Sequence, residues 1–216
     1  MAEVWVKGID VSHYQGVIDW SAVSKSGIEF AFIKSTDGVA KTDPMFCRNW
    51  QAARDNGIRR GAYHFFRAEQ DPERQAQLFL AMLKGEWGEL PPVLDFELSG
   101  GVSNEEGLSR AKTWMIEVKE ATGLKPILYT GPAFWRSTMK DACNFGNFPL
   151  WIAHYTAAPE PSLPRAWNRW AFWQHSEKGT VPGINGPVDL DLFNGNLMEL
   201  DHLCGRITSK SAIAGS

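Results

Sequence analysis

Eight short apolar segments, each running into polar or aromatic residues, punctuate this chain: Val6 to Asp10, Phe30 to Ser35, Gly61 to Phe66, Val93 to Glu97, Pro126 to Thr130, Leu150 to His154, Ala171 to His175 and Val188 to Phe193. Their length and their bounding turn residues fit strands. Between the first six lie stretches with helical spacing: Trp20 to Ser26, Phe46 to Asn56, Pro72 to Leu83, Asn104 to Thr122, and a shorter one from about Ala133 to Asp141. Gly57, Gly85 and Gly123 stand just past three of them, where glycine ends a helix readily because it accepts the left-handed conformation. Strands alternating with helices imply a parallel sheet with right-handed crossovers, and eight strands of this length suit closure. The expected fold is α/β, an irregular (β/α) barrel with eight strands and about five helices.

The last two connections break the alternation. Pro159, Pro161 and Pro164 crowd one, and Gly179, Pro182, Gly183, Gly186 and Pro187 fill the other; both read as loops. A link without a helix reaches a parallel neighbour with difficulty, so antiparallel pairing is expected among the last three strands. At 216 residues, with no linker or internal repeat, the chain fits one barrel. Residues 1–204 are read as a single catalytic domain and 205–216, small and polar, as a flexible tail.

Composition narrows the partners. A net charge of -3 leaves no basic footprint for nucleic acid. No apolar run approaches the roughly 20 residues of a membrane span, and the first residues lack the basic and apolar regions of a signal peptide. Cys47, Cys143 and Cys204 are widely spaced and show no metal-ligand pattern; they are expected to be mostly buried and reduced. Ten tryptophans exceed the usual needs of a core, and aromatic faces are good platforms for sugar rings.

The chemistry concentrates at the C-terminal strand ends, where barrels of this type place catalytic groups. Asp95 and Glu97 stand two apart, so on a strand they share a face with Cα atoms roughly 6 to 7 Å apart. In a partly dry site their repulsion pushes one pKa up, leaving an acid beside an anion. Other strand ends supply Asp10, Lys34, Tyr63 with His64, Tyr129, Trp151 with His154 and Tyr155, Trp173 with Gln174 and His175, and Asp189 with Asp191. Only one of Tyr63 and His64 can face the interior. His154 and His175 read as hydrogen-bonded structural histidines. Asp189 is preferred for the site, with Asp191 read as a cap for the Asn194-Gly195 turn.

Three classes of function suit a carboxylate-lined mouth with aromatic walls. A glycosidase needs an acid for the leaving oxygen and a second group for oxocarbenium-like charge, roles open to Glu97 and Asp95. A divalent-metal hydrolase would draw on Asp10, Asp95, Asp189 and a histidine, but no H-x-H or H-E-x-x-H pairing supports it. A non-catalytic carbohydrate-binding module explains the aromatics but not a buried carboxylate pair. The glycosidase explains the most residues.

These motifs resemble the glycoside hydrolase family 25 lysozymes, the β-1,4-N-acetylmuramidases. The matching segments are Gly8 to Gly16, Phe32-Ile33-Lys34-Ser35-Thr36, Gly61-Ala62-Tyr63-His64-Phe65, Leu94-Asp95-Phe96-Glu97, Ile127-Leu128-Tyr129-Thr130, Leu150 to Tyr155, Trp173-Gln174 and Val188 to Phe193, in the family's order. The resemblance implies Glu97 as acid/base, Asp95 as its partner, Asp10 and Asp189 as further carboxylates, and Lys34, Tyr63, Trp151, Tyr155 and Gln174 along the cleft; Tyr129 joins them from its strand end. It implies hydrolysis of the bond between N-acetylmuramic acid and N-acetylglucosamine in peptidoglycan strands, with no cofactor and no metal, by a monomer acting at the bacterial cell wall, outside the cell or in the periplasm. Release of a phage type and a trimmed secreted form are both compatible with the missing signal peptide. The family is discussed in terms of substrate assistance by the N-acetyl group; the residues alone leave retention and inversion open. Two departures stand out: His175 occupies a position where tyrosine is frequent, and no cell-wall-binding repeat follows Phe193.

Overall fold

The computed structural model describes residues 5–204. In chain order the strands are β1 (Val6–Val11), β2 (Phe30–Asp37), β3 (Lys41–Thr42), β4 (Arg59–Phe65), β5 (Val93–Asp95), β6 (Ile127–Thr130), β7 (Leu150–Ala153), β8 (Phe172–Gly179) and β9 (Val188–Phe193). The helices are α1 (Trp20–Lys25), α2 (Phe46–Asp55), α3 (Pro72–Leu83), α4 (Asn104–Thr122), α5 (Pro132–Ser137) and α6 (Leu197–Leu203), with a 3-10 turn at His13–Gln15. Eight strands close a barrel in the order β1, β2, β4, β5, β6, β7, β8, β9, while β3 hangs on the edge of β2.

Local chemistry sets the helix limits. Asp19, Asp71 and Ser103 accept from the first free N–H groups of α1, α3 and α4, and Pro72 starts α3 where its missing N–H costs nothing. α4 ends at Gly123 with φ 72. α6 was not expected; Asn196 and Glu199 cap it reciprocally. It closes the N-terminal end of the barrel by burying Leu200, while Asp201 accepts from the buried Arg59 at 2.7 Å.

All neighbouring pairs in the barrel are parallel except those of β9, which runs antiparallel to both β8 and β1. The expectation of antiparallel pairing among the last strands holds for β9 alone. The β8 to β9 link makes a hairpin, which needs no crossover. The longer link from β7 to the parallel β8 crosses without a helix, because Trp167, Trp170 and Leu163 cover the outside of the barrel in its place.

Alternation along the strands separates two apolar layers. Val6, Phe30, Phe32, Tyr63, Val93, Ile127, Tyr129, Trp151, Phe172 and Phe193 fill the interior, whereas Ile9, Ile33, Ala62, Leu94, Leu128 and Ile152 point outward against the helices. Gly8 and Gly61 make room inside: a Cβ on Gly61 would stand 2.6 Å from the Phe32 ring, and one on Gly8 would collide with Phe30. Most tryptophans serve packing. Trp20, Trp50, Trp114, Trp135, Trp167, Trp170 and Trp173 are buried in the outer layer, so the abundance of tryptophan reflects a large core rather than sugar platforms. The cysteines depart from expectation in burial: Cys47 and Cys143 are exposed, and Cys204 is half-buried. Residues 205–216, read as a tail, lie outside the described residues. No described helix is long and apolar enough to cross a membrane.

Candidate active site

Interior parity carries the polar residues to the mouth. Asp10, Lys34, Tyr63, Asp95, Glu97, Tyr129, Trp151, Tyr155, Gln174 and Asp189 line one cavity of about 280 Å³, joined by Tyr14, Gln15 and Glu177. Every expected site residue is brought together there. A larger hollow of about 670 Å³ near α6, lined by Phe148, Trp167, Phe193 and Leu203, holds no such convergence of carboxyls.

One expectation about the central pair needs correction. β5 stops at Asp95, so Glu97 is not a strand residue; the Phe96 N–H still reaches the Tyr129 carbonyl at 3.0 Å, after which the chain turns away. Asp95 is consequently buried at the barrel rim, while Glu97 sits higher and partly open. Burial raises the Asp95 pKa well above the ordinary carboxylate value, and the Glu97 charge raises it further. Burial also raises Glu97, against the opposing pull of Lys34 and Arg67. Together the two hold a proton into the range where free carboxyls have lost theirs. The Asp95 Oδ1 atom is buried with no hydrogen-bond partner. That is an acceptor waiting for a donor.

The cations above this pair are fixed. Arg67 grips Asp37 with two bonds of 2.7 and 2.9 Å, and the Lys34 Nζ lies 3.8 Å from the same carboxylate. Both cations also lie over the Phe65 ring, each 4.5 Å from its centre. Arg67 and Asp37 were not foreseen, because neither stands at a strand end with the expected parity.

Across the mouth, Gln174 organises a second network. Its Oε1 accepts from the hydroxyls of Tyr129 at 2.9 Å and Tyr155 at 2.7 Å, while its Nε2 donates to Asp10 Oδ2 at 2.6 Å. Burial first, then the surrounding carboxylates, push all three cleft tyrosines upward, so Tyr63, Tyr129 and Tyr155 stay protonated donors. The antiparallel register sets Asp189 opposite Asp10, and the charges of Asp191 and Asp189 both act on Asp10. Burial pushes Asp189 up to about 6 and drives Asp10 and Asp191 well above the carboxylate range.

Asp191 overturns its reading as a turn cap. It is 1% exposed, and its Oδ1 accepts from the Trp151 Nε1 at 2.8 Å. Alternation on β9 sends Asp189, Asp191 and Phe193 to the same face, so Asp191 lies one step below Asp189 inside the barrel. Its Oδ2 has no donor. Burial raises both Asp191 and Asp10, and the neighbouring carboxylates raise Asp10 further, so this cluster keeps a proton above the ordinary carboxylate range.

The histidines stand apart. His64 points outward, fully buried between Thr36 and Gln75, which leaves Tyr63 to face the cleft. His154 accepts from the Ser162 N–H at 3.1 Å. His175 does not meet the cleft: it lies outside the barrel in a hollow with Lys7, Leu190 and Leu192, because Gln174 takes the inward position. Both are half-buried rather than core residues. Among the described residues, no three His, Cys, Asp or Glu side chains are arranged to hold a metal ion.

The profile of Glycosyl hydrolases family 25 matches residues 9–184. The chain belongs to this family. It is a glycoside hydrolase of the lysozyme type, and the family's barrel is the one described above. Lysozyme M1 of Streptomyces globisporus is 36% identical over 207 residues, covering 90% of this chain and 70% of that protein. The uncharacterized protein YegX of Escherichia coli K12 is 44% identical over 204 residues, covering 92% of this chain and 73% of YegX. Among solved structures, the bacterial lysozyme from Streptomyces coelicolor superposes with a TM-score of 0.87 at 32% identity, covering 95% of this chain and all of that one.

Proposed function

We propose that this family 25 enzyme cleaves the β-1,4 bond between N-acetylmuramic acid and N-acetylglucosamine in peptidoglycan, with Glu97 as acid/base and the substrate's own N-acetyl group as nucleophile. The observation that carries the reading is the Asp95 carboxyl, buried at the rim of the cavity beside Glu97 and holding no hydrogen bond at Oδ1. An acetamido N–H donated to the cleft-facing side of the Asp95 carboxylate fixes Asp95 as the anion and leaves the shared proton on Glu97. The amide oxygen then bonds to the anomeric carbon as the C1–O4 bond breaks, and Glu97 delivers its proton to the departing oxygen. The positive charge moves to the oxazolinium nitrogen, whose N–H faces the Asp95 carboxylate. In the second half Glu97 takes a proton from water, the water oxygen bonds to C1, and the amide re-forms. Two displacements at one carbon retain its configuration, outside the scheme of two direct carboxylate roles.

Asp10, Asp189 and the tyrosines gathered by Gln174 form the opposite wall, where they hold the sugar's hydroxyls and add negative potential for the oxocarbenium-like charge. Lys34 and Arg67 limit how far the Glu97 pKa rises, so that it can both give and recover its proton. The site of action follows from the substrate: the bacterial cell wall.

The test is mass spectrometry of borohydride-reduced fragments released from purified peptidoglycan by wild type and by Glu97→Gln. Muramitol ends from the wild type alone are expected. Glucosaminitol ends would make the enzyme a glucosaminidase, and a rate for Glu97→Gln close to wild type would move the acid elsewhere. Proton NMR of the first-formed anomer decides the stereochemistry, and an inverted product would rule out the acetamido nucleophile.

A further inference from the structure

Tyr14 is the most exposed large hydrophobic side chain among the described residues, at 81%, yet it is mounted with care at the edge of the catalytic cavity. The 3-10 turn that bears it is capped in both directions. Ser12 Oγ accepts from the Tyr14 N–H, and Gln15 Oε1 accepts from the Ser12 N–H at 2.9 Å. The Gln15 Nε2 donates to the Pro187 carbonyl at 3.4 Å, tying the turn to the segment before β9. On its other side His13 is bolted to Asp43, a side chain 1% exposed, through its backbone N–H at 2.9 Å and its Nδ1 at 2.7 Å. Asp43 in turn accepts from the Met45 N–H at 2.9 Å and so cannot swing away. The His13 ring lies 4.2 Å from the Tyr14 ring at 34° and braces it from behind.

An exposed tyrosine needs no such support to satisfy solvent. A ring mounted on a doubly capped turn and packed against a second ring that a buried carboxylate holds has less rotational freedom to lose when a ligand arrives, so less entropy opposes stacking on its open face. The apolar face of a pyranose is the ligand shape that fits a flat, solvated ring continuous with a carboxylate-lined sugar cleft. We propose that Tyr14, braced by His13 and Asp43, is the platform of an additional glycan subsite, one that stacks a sugar ring of the strand away from the bond being cut. The proposal rests on the enzyme acting on a glycan strand, but not on which bond it cuts. Tyr14 engages only strands long enough to reach past the catalytic pair, and its effect is on strand binding rather than on the chemical step.

The test compares soluble, peptide-free peptidoglycan glycan strands of graded length. With wild type, Tyr14→Ala and Tyr14→Phe, kcat/KM is measured for the shortest cleaved oligosaccharide and for strands several disaccharides longer. Tyr14→Ala is expected to lose roughly tenfold on long strands through KM and little on the shortest, Tyr14→Phe to stay near wild type, and His13→Ala to show a weaker loss with the same length dependence. Calorimetric titration of the long strands into Glu97→Gln, with and without Tyr14→Ala, reads binding independently of cleavage. Equal affinities in that pair, or equal losses on short and long strands, would overturn the platform. Binding that depends on Tyr14 without muramyl cleavage would instead refute the proposed bond while keeping the platform.

Discussion

His64 offers the cleanest numerical test of the electrostatics behind the cleft. It is fully buried behind Tyr63, its Nδ1 lies 2.7 Å from the Thr36 hydroxyl, its Nε2 lies 3.0 Å from Gln75 Oε1, and its ring stacks on Trp114 at 5.5 Å. Gln75 Oε1 also accepts from the Arg67 N–H, so Gln75 fits a neutral imidazole that donates from Nε2. Burial pushes the His64 pKa from 6.5 down to about 4. Above pH 6.5 the folded and unfolded chains are both neutral at this residue, and no pH dependence arises from it. As pH falls below 6.5 the unfolded chain takes up a proton that the folded chain refuses, until about pH 4, and stability falls throughout that window. A shift of some 2.5 units corresponds to about 3 kcal/mol. His64→Gln removes the titration. It also loses packing at neutral pH, so the variant is expected to be less stable than wild type at pH 7 and to close about 3 kcal/mol of that gap by pH 4. Urea unfolding followed by tryptophan fluorescence at several pH values measures the difference. The cleft carboxyls titrate in both proteins and cancel. Parallel stability curves across this range would refute the buried, neutral imidazole.

The burial of Asp191 beneath Asp189 predicts a different signature for Asp191→Asn. An amide still accepts from the Trp151 Nε1 and removes the titratable group, so activity is expected within a few fold of wild type. The folded pKa of Asp191 is raised by burial, so its contribution is most favourable at low pH and is lost as pH rises above the unfolded value; Asn escapes this, and the variant should gain stability near pH 7 but not near pH 3. Loss of most activity with no stability gain in thermal melts would mean that Asp191 is an anion the reaction uses. Gln174→Leu deletes the bond that lowers the Asp10 pKa against its burial and releases two tyrosine hydroxyls. Turnover should fall by about tenfold or more, and the acid limb of the rate profile for clearing cell-wall suspensions should move to higher pH. An unmoved limb would detach Asp10 from the rate.

Signals confined to neighbours in sequence were legible, and they fixed most of the architecture. Asp71-Pro72 and Ser103 mark helix starts, Gly123 marks a stop, and the apolar segments mark eight strands, so barrel closure and the convergence of Asp10, Asp95 and Asp189 could be read before any contact was known. The cap pair Asn196 and Glu199 was equally available and would have revealed α6. The pattern also showed that the last connections lack helices, but not that Trp167 and Trp170 would let β8 remain parallel to β7, since that depends on packing across the outer layer.

Period two says which residues share a face, but not how deep each lies or what meets it there. Asp189 and Asp191 have the same parity, and only the antiparallel register of β9 against β1 makes the first a mouth residue and the second a floor residue under Asp10. His175 follows an inward Gln174 and must therefore point out, a conclusion parity alone would have supplied. Tyr14 had no parity to read, because it sits on a turn whose rigidity depends on Asp43, thirty residues from His13. Glu97 shows the converse: its pairing with Asp95 was found by assuming a strand that ends two residues too soon. The two carboxyls converge because the departing chain stays tethered to β6 at Phe96. That tether leaves Asp95 in the dry rim and lifts Glu97 toward water, and this difference in depth is what the proposed division of roles, one carboxyl orienting the substrate and the other exchanging protons with it, draws on.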